Sequence, residues 1–419
     1  MVLSARTEGS AVAALSAIIT GALVLQMANT VMQTVLPLRM ALENEPPLLI
    51  GFVGSAYSVG YLAGCFAIPS LISRIGHIRG FAVFAALQAA LTLSFPVMPV
   101  EAWGPARLLM GCAAAGHGIC IESWISGQAR SGHTGRIFGF YQILSRLVVI
   151  GSQVAVGYIA VETENVFLLV SAAFSLALIP VGLTRAHGPE FTEIISVNLR
   201  MLWQQAPAAV IGCLYVGLVG GPLTSVAPAY GILIGLDQSA AILLTASVQI
   251  GALVAQWPMG WFADRFDSRL VMSTAVLAVL GASLLLCCIH LFTGRAPDVW
   301  LYGLFLVIGA GGIPIYTVAV AHAYLRVGRE HAVSLSAGLL FLWAAGAGIG
   351  PVAATSVMEV IGPQGLLAYV GALSLLVAVY LMVRMSRKPR PDAGDIKVPP
   401  VASPMHPSFA AATEKDSPT

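Results

Sequence analysis

The chain has 419 residues, of which 58% are hydrophobic and only 10% are charged, and its formal net charge is +2. Soluble domains carry about 25% charged residues, so this composition excludes a water-soluble globular protein and indicates that lipid surrounds most of the chain. The small net charge provides no basic face for nucleic acid. The six cysteines lie in apolar stretches without metal-ligand spacing, so we expect no metal and no cofactor.

Twelve apolar stretches of about 20 residues, the length needed to cross a bilayer, follow one another along the chain. Lipid offers no hydrogen bonds to backbone groups, so each stretch should form a helix. The stretches cover residues 11–36, 49–71, 78–98, 103–125, 138–160, 165–183, 207–233, 239–262, 270–291, 299–322, 332–357 and 365–385. We therefore predict an all-α integral membrane protein with twelve transmembrane helices in two six-helix halves.

These stretches and the polar segments between them divide the chain into five parts. Residues 1–10 form a cytoplasmic N-terminus, 11–183 the first half, 184–206 a cytoplasmic central loop, 207–385 the second half and 386–419 a cytoplasmic tail. The central loop has helical apolar spacing, which predicts a short interfacial helix. The tail is rich in proline and poor in apolar residues, which predicts disorder.

The placement of lysine and arginine predicts the orientation, because basic residues accumulate in cytoplasmic loops. With the N-terminus in the cytoplasm, 17 of the 21 basic residues fall in cytoplasmic segments, and the other four are Arg39, Arg107, Arg146 and Arg295. An even number of spans returns the basic start of the tail to the same side. We expect a multi-pass protein of the bacterial inner membrane with both termini in the cytoplasm.

Two loop motifs recur at an interval of 191 residues, which favours parallel repeats around a central site. Ser73-Arg74 follows the second span, and Asp264-Arg265 follows the eighth. The segments 69–79, 256–269 and 107–116 resemble the loop and fourth-helix motifs of the major facilitator superfamily. The pattern is also similar to that of YcaD-type transporters, through the short sequences GHIRGF (76–81), ESW (122–124), VAHA (320–323) and GAGIGP (346–351), and the resemblance covers residues 11–385.

The resemblance implies the major facilitator fold and a secondary active transporter that works by alternating access, but its motifs say nothing of the substrate. The expectation of a small polar solute, anionic or zwitterionic, rests on Arg146. It implies gating by Arg74, Asp264 and Arg265, with a weaker contribution from the first half because Ser73 stands where the family has aspartate. We expect a monomer whose partners are the solute, membrane lipids and, if transport is coupled, protons. No catalytic motif indicates an enzyme. The alternative is an integral-membrane assembly partner, or a membrane enzyme, without transport activity.

Polar residues at helical spacing within three spans are the candidates for binding the solute. They are Gln26, Asn29 and Gln33 on the first span, Gln142, Arg146 and Gln153 on the fifth, and Gln249 and Gln256 on the eighth. A polar stripe on an apolar helix should face a water-filled cavity, where Arg146 could bind an oxyanion with its planar fork of donors. The alternatives are hydrogen bonds between helices and a permanent pairing of Arg146 with Glu122 or with a backbone carbonyl.

Glu122 and Arg107, both on the fourth span, are the candidates for proton coupling. An acid within lipid costs at least about 2.5 kcal/mol and therefore needs a reason to be there. Glu122 could carry a proton, or it could pair with Arg130 or Arg136 near the helix end. Arg107 could instead extend its side chain to the headgroups. For His117 and His322 we expect packing roles.

Overall fold

The computed structural model describes residues 2–128, 134–183, 199–294, 296–327 and 332–387, and within these ranges the chain is helical without any strand. The helices are α1 (Val2–Leu42), α2 (Pro47–Ile75), α3 (His77–Ser94), α4 (Trp103–Gln128), α5 (Thr134–Val156), α6 (Asn165–Leu176), α7 (Leu178–Gly182), α8 (Leu199–Gln205), α9 (Pro207–Ser225), α10 (Ala227–Leu233), α11 (Gln238–Arg265), α12 (Ser268–Thr293), α13 (Asp298–Gly312), α14 (Ile315–Val327), α15 (Ala332–Ile361) and α16 (Gly365–Arg387), with one 3-10 turn at Val100–Ala102.

Ten helical segments of the described residues are long and apolar enough to cross a membrane. They are Leu15–Leu42, Pro47–Ile75, His77–Ser94, Asn165–Gly182, Pro207–Ser225, Gln238–Arg265, Ser268–Thr293, Asp298–Val327, Leu335–Ile361 and Gly365–Arg387. The predicted spans 103–125 and 138–160 fall on α4 and α5; the apolar part of α5, Phe140–Val156, is a shorter apolar helix. The all-α membrane fold is confirmed, whereas length and hydropathy support ten of the twelve predicted spans.

The seventh predicted span is broken in the structure at Val226, between α9 and α10. Pro228 has no backbone N–H and so cannot bond the carbonyl of Thr224, which interrupts the helical ladder. The break leaves Thr224 and Ser225, with Gly220 and Gly221 one turn earlier, beside the central cavity described below.

The two halves repeat one packing motif at the interval of 191 residues. In the first half, Gly60 of α2 lies against the Leu108 carbonyl of α4 so closely that a Cβ would overlap it. In the second half, Gly251 of α11 lies in the same way against the Leu306 carbonyl of α13. Small residues allow such close helix approach in membranes. The repeat inferred from the loops therefore extends into the helix packing.

The halves contact each other mainly near one end of the bundle, which we call the 43–46 end after the connection between α1 and α2. Helix α2 packs along α15, and α5 contacts α11. The backbone N–H of Leu48 donates to Glu359 (3.1 Å). Near the same end, Gln238 donates to the carbonyls of Val156 (2.9 Å) and Ile159 (2.6 Å). The opposite end, where Gly76 joins α2 to α3, is the Gly76 end.

Parts of the sequence-based predictions lie outside the described residues. Of the predicted central loop, α8 is described, and its Leu202 is buried against Gly338 of α15. Residues 184–198 and most of the predicted tail, 388–419, lie outside the description. Their predicted interfacial helix and disorder stay predictions.

Candidate functional site

A cavity of about 150 Å³ lies between the two halves. It is lined by α1, α2, α4 and α5 of the first half and by α9, α11 and α15 of the second. Its polar lining consists of Gln26, Asn29, Thr30, Gln33, Tyr57, Ser58, Tyr61, Arg107, His117, Gln153, Thr224, Ser225, Gln249 and Trp343. The lining contains no acidic side chain among the described residues, so Arg107 sets a positive charge in the cavity.

Arg107 is buried in this cavity, with 3% of its surface exposed. Its guanidinium lies over the ring of Tyr57, 4.3 Å from the centroid, in a cation–π contact. Its Nη1 atom has no hydrogen-bond partner among the described residues. The interpretation that Arg107 extends to the headgroups is therefore wrong, because its side chain turns inward from the first turns of α4. A buried guanidinium with an unused donor is suited to an oxyanion or a carbonyl oxygen.

The polar stripe of α1 also faces this cavity. Gln26, Asn29 and Gln33 all line it. The Asn29 side-chain oxygen accepts hydrogen bonds from Gln88 of α3 (3.0 Å) and from the Tyr57 hydroxyl (3.4 Å). Both interpretations therefore apply to Asn29, which lines the cavity and bonds neighbouring helices, whereas Gln26 bonds Thr30 of its own helix (3.4 Å).

The predicted stripe of α5 divides between the cavity and the packed interior. Gln153 lines the cavity, and its side-chain oxygen has no hydrogen-bond partner in the described part of the chain. Gln142 and Arg146 are not among the lining residues, and Arg146 is buried with 8% of its surface exposed. Helical spacing predicts that the three residues share one face of α5. It did not reveal that α1 and α11 pack against α5 and cover part of its surface.

Two further candidates differ in position. Gln249 of α11 is buried and lines the cavity, whereas Gln256, two turns along, is half-buried and is not among the lining residues. Position 122 belongs to α4, but the side chain of Glu122 lies outside the description. Its proton-coupling role and its pairing with Arg146 stay predictions.

Among the polar residues of this site that the sequence interpretation missed, two contact residues that it named. Tyr57 holds the guanidinium of Arg107, and Gln88, which is fully buried, bonds Asn29 and the Met110 carbonyl (3.3 Å). The available signal was weak in both cases. Gln88 is a single amide in an apolar span, and tyrosine is common in membrane helices without any functional role.

The candidate gating residues lie exposed at the Gly76 end. Arg74, Asp264 and Arg265 are all exposed. The Arg265 guanidinium lies over the Trp261 ring, 3.9 Å from the centroid, within its own helix. The motif also contains a firm ion pair: Arg269 contacts both carboxylate oxygens of Asp267 at 2.6–3.2 Å. Burial raises the pKa of Asp267, but the hydrogen bonds and charge of Arg269 lower it more, so the pKa lies below its ordinary value.

We expect Asp264→Asn to shift the conformational balance toward the arrangement seen here. Asp264 is exposed in this arrangement, and we expect its charge to stabilise an alternative one in which the Gly76 ends meet. A charge of this kind contributes roughly 0.3–1 kcal/mol, which corresponds to about a two- to fivefold shift. Spin labels at the exposed positions Arg79 and Leu270 would report the distance between the halves. An unchanged distance distribution would remove Asp264 from gating.

Comparison with known proteins agrees with this architecture. The sequence profile described as Major Facilitator Superfamily matches residues 211–413. The chain is 26% identical to the uncharacterised YcaD transporter of Escherichia fergusonii, over 87% of this chain and 94% of that protein. It is also 26% identical to an uncharacterised transporter of Enterobacter sp. strain 638, over 90% and 97% of the two chains.

Solved structures share the fold at low sequence identity. The nucleoside transporter NupG superposes with a TM-score of 0.73 at 14% identity, over 90% of this chain and 100% of that one. A bacterial homologue of the lysosomal transporter Spinster, inward-facing and occupied, gives 0.72 at 14% identity, over 89% and 96%. The D-xylose–proton symporter gives 0.68 at 15% identity, over 88% and 96%. Sequence and fold together make the chain similar to proteins of the major facilitator superfamily, YcaD-type transporters among them.

Proposed function

We propose that this chain is a secondary active transporter of the bacterial inner membrane that moves a small anionic or zwitterionic solute through the central cavity by alternating access. The observation that carries the proposal is the buried guanidinium of Arg107. It faces the cavity, it has an unused donor among the described residues, and the described lining offers no carboxylate to neutralise it. A solute oxyanion would supply both the charge and the acceptor.

Two features support alternating access. The halves are joined near the 43–46 end through α2, α15 and the Leu48–Glu359 hydrogen bond, while the motif residues at the Gly76 end are exposed. A cavity between two rigid halves that meet at one end is the geometry in which rocking exposes the site to either side. The solved neighbours include a nucleoside transporter and a D-xylose–proton symporter, whose named solutes are small and polar.

A thermal-shift screen of the purified full chain tests the proposal. The screen compares carboxylates, phosphate esters, amino acids, neutral sugars and organic cations. We expect anionic or zwitterionic compounds to raise Tm, because a ligand that binds the native state alone stabilises it. Proteoliposomes then test whether the same compounds are transported. Stabilisation by cations alone would contradict the proposed solute class, and binding without transport would favour the non-transporting alternative.

The proposed orientation predicts that both termini are cytoplasmic and that the 43–46 end is outside. The support is the distribution of basic residues, 17 of 21 of which fall on one side in this topology. Cysteines introduced at Glu43 and Lys397 should react with an impermeant reagent from opposite sides of the membrane. Labelling of both from the same side would refute this topology.

A further inference from the structure

His117 occupies an unusual place for a packed histidine, because it lines the central cavity while only 3% of its surface is exposed. It lies on α4, ten residues beyond Arg107, which is about 15 Å along the helix. Its ring packs edge-to-face with Phe81 of α3 at a centroid distance of 4.8 Å and with Phe84 at 5.9 Å. The two phenyl rings fix the imidazole between α3 and the cavity.

The hydrogen bonding of the ring determines its tautomer. Nε2 of His117 lies 3.2 Å from the backbone carbonyl oxygen of Phe81. A carbonyl oxygen can only accept, so Nε2 must carry the hydrogen and donate. In the neutral ring, Nδ1 is then a bare acceptor, and it has no partner among the described residues. An unpaired buried acceptor destabilises the fold, which a residue used only for packing would avoid.

We infer that His117 is the residue at which the cavity binds a proton. Protonation at Nδ1 leaves the Nε2–H bond to Phe81 unbroken and gives the ring a charged donor, for which an oxyanion of the solute in the cavity would be the acceptor. Histidine is also the side chain whose charge changes most readily near neutral pH.

The surrounding charges explain how proton binding would depend on the solute; this step rests on the proposed function. Titratable and charged groups lie near this level on α4 and on the helices packed against it. They are Tyr57, Tyr61 and Cys65 on α2, His77 and Arg79 on α3, Tyr141 and Arg146 on α5, and Arg107, Cys112, Cys120 and Glu122 on α4; the side chain of Glu122 lies outside the description. The described lining includes no acid, so a proton on His117 adds a second positive charge to that of Arg107. An anionic solute would offset both charges, so proton and anion would favour each other's binding.

The first test uses diethyl pyrocarbonate, which modifies unprotonated imidazole, on the intact protein in proteoliposomes. Mass spectrometry would follow His117, with the buried His322, which is not among the lining residues, as the control. We expect His117 to react and its rate to fall about tenfold as the pH is lowered through the titration of the ring, since only the unprotonated imidazole is modified. No reaction at His117, or a rate that does not change with pH, would overturn the inference.

The second test asks whether the proton affects the conformation. Spin labels at Arg79 and Leu270 should show a pH-dependent distance between the halves in the unsubstituted protein. His117→Gln keeps a donor for the Phe81 carbonyl but cannot titrate, and should abolish this dependence; His322→Gln should keep it. Dependence that persists in His117→Gln refutes the site, and dependence lost only in Glu122→Gln assigns the proton to Glu122. If no anion binds but His117 still titrates, the proposed solute fails and the proton site stands.

Discussion

Replacing Arg107 with lysine should weaken binding of an anionic solute by about 30-fold, although the positive charge is kept. Lysine lacks the planar fork that places two donors on one oxyanion, and the loss of one hydrogen bond to a charged group corresponds to about 2 kcal/mol. Lysine also loses the flat stacking surface that Tyr57 contacts at 4.3 Å. Arg107→Gln, which removes the charge as well, should bind more weakly still.

Matched variants separate this effect from general changes of charge. Arg79 is exposed and is not among the cavity-lining residues, so Arg79→Lys and Arg79→Gln should leave binding unchanged. Arg146→Lys tests the residue that the sequence interpretation favoured for binding the solute, which is not among the cavity-lining residues. Titration calorimetry with a compound from the thermal-shift screen measures each Kd. Equal binding by the Arg107→Lys and unsubstituted proteins, with loss in Arg146→Lys, would transfer the anion site to Arg146.

Replacing Gly51 with valine should open the 43–46 end. A Cβ on Gly51 would overlap the Thr355 hydroxyl of α15 and lie 2.7 Å from the Pro351 carbonyl oxygen, so the two halves could not keep their present contact. Overpacking of this kind costs about 2 kcal/mol, which is about a 30-fold change in a two-state equilibrium. Because the strained contact joins two separately packed halves, the protein can relieve it by moving them apart. Spin labels at the exposed positions Leu48 and Val360 should report a longer distance.

Gly60→Val is the matched control for this prediction. Gly60 packs against the Leu108 carbonyl within the first half, so the same added volume cannot be relieved by movement between halves. We expect this variant to unfold at a lower temperature without a longer Leu48–Val360 distance. An unchanged distance in a folded Gly51→Val protein would show that the α2–α15 contact does not hold the 43–46 end closed.

Sequence patterns predicted most of the fold because membrane helices can be recognised in a sequence by their length and hydropathy. The interval of 191 residues between the two loop motifs also proved informative, since Gly60 and Gly251 repeat the same close packing in the two halves. The polar stripe of α1 was found by helical spacing alone, and Gln26, Asn29 and Gln33 all line the cavity. Local periodicity sufficed there because the whole stripe faces the space between the halves.

The sequence by itself determined which segments are helical, the repeat that divides the chain into halves and which polar residues share a helix face. The tertiary structure alone decided which of these faces meets the cavity. It placed Arg107 over Tyr57 inside the cavity and left Arg146 of α5 out of the lining. The reason is physical: hydropathy and helical period describe one helix in isolation, whereas exposure to the cavity depends on which neighbouring helix covers each face.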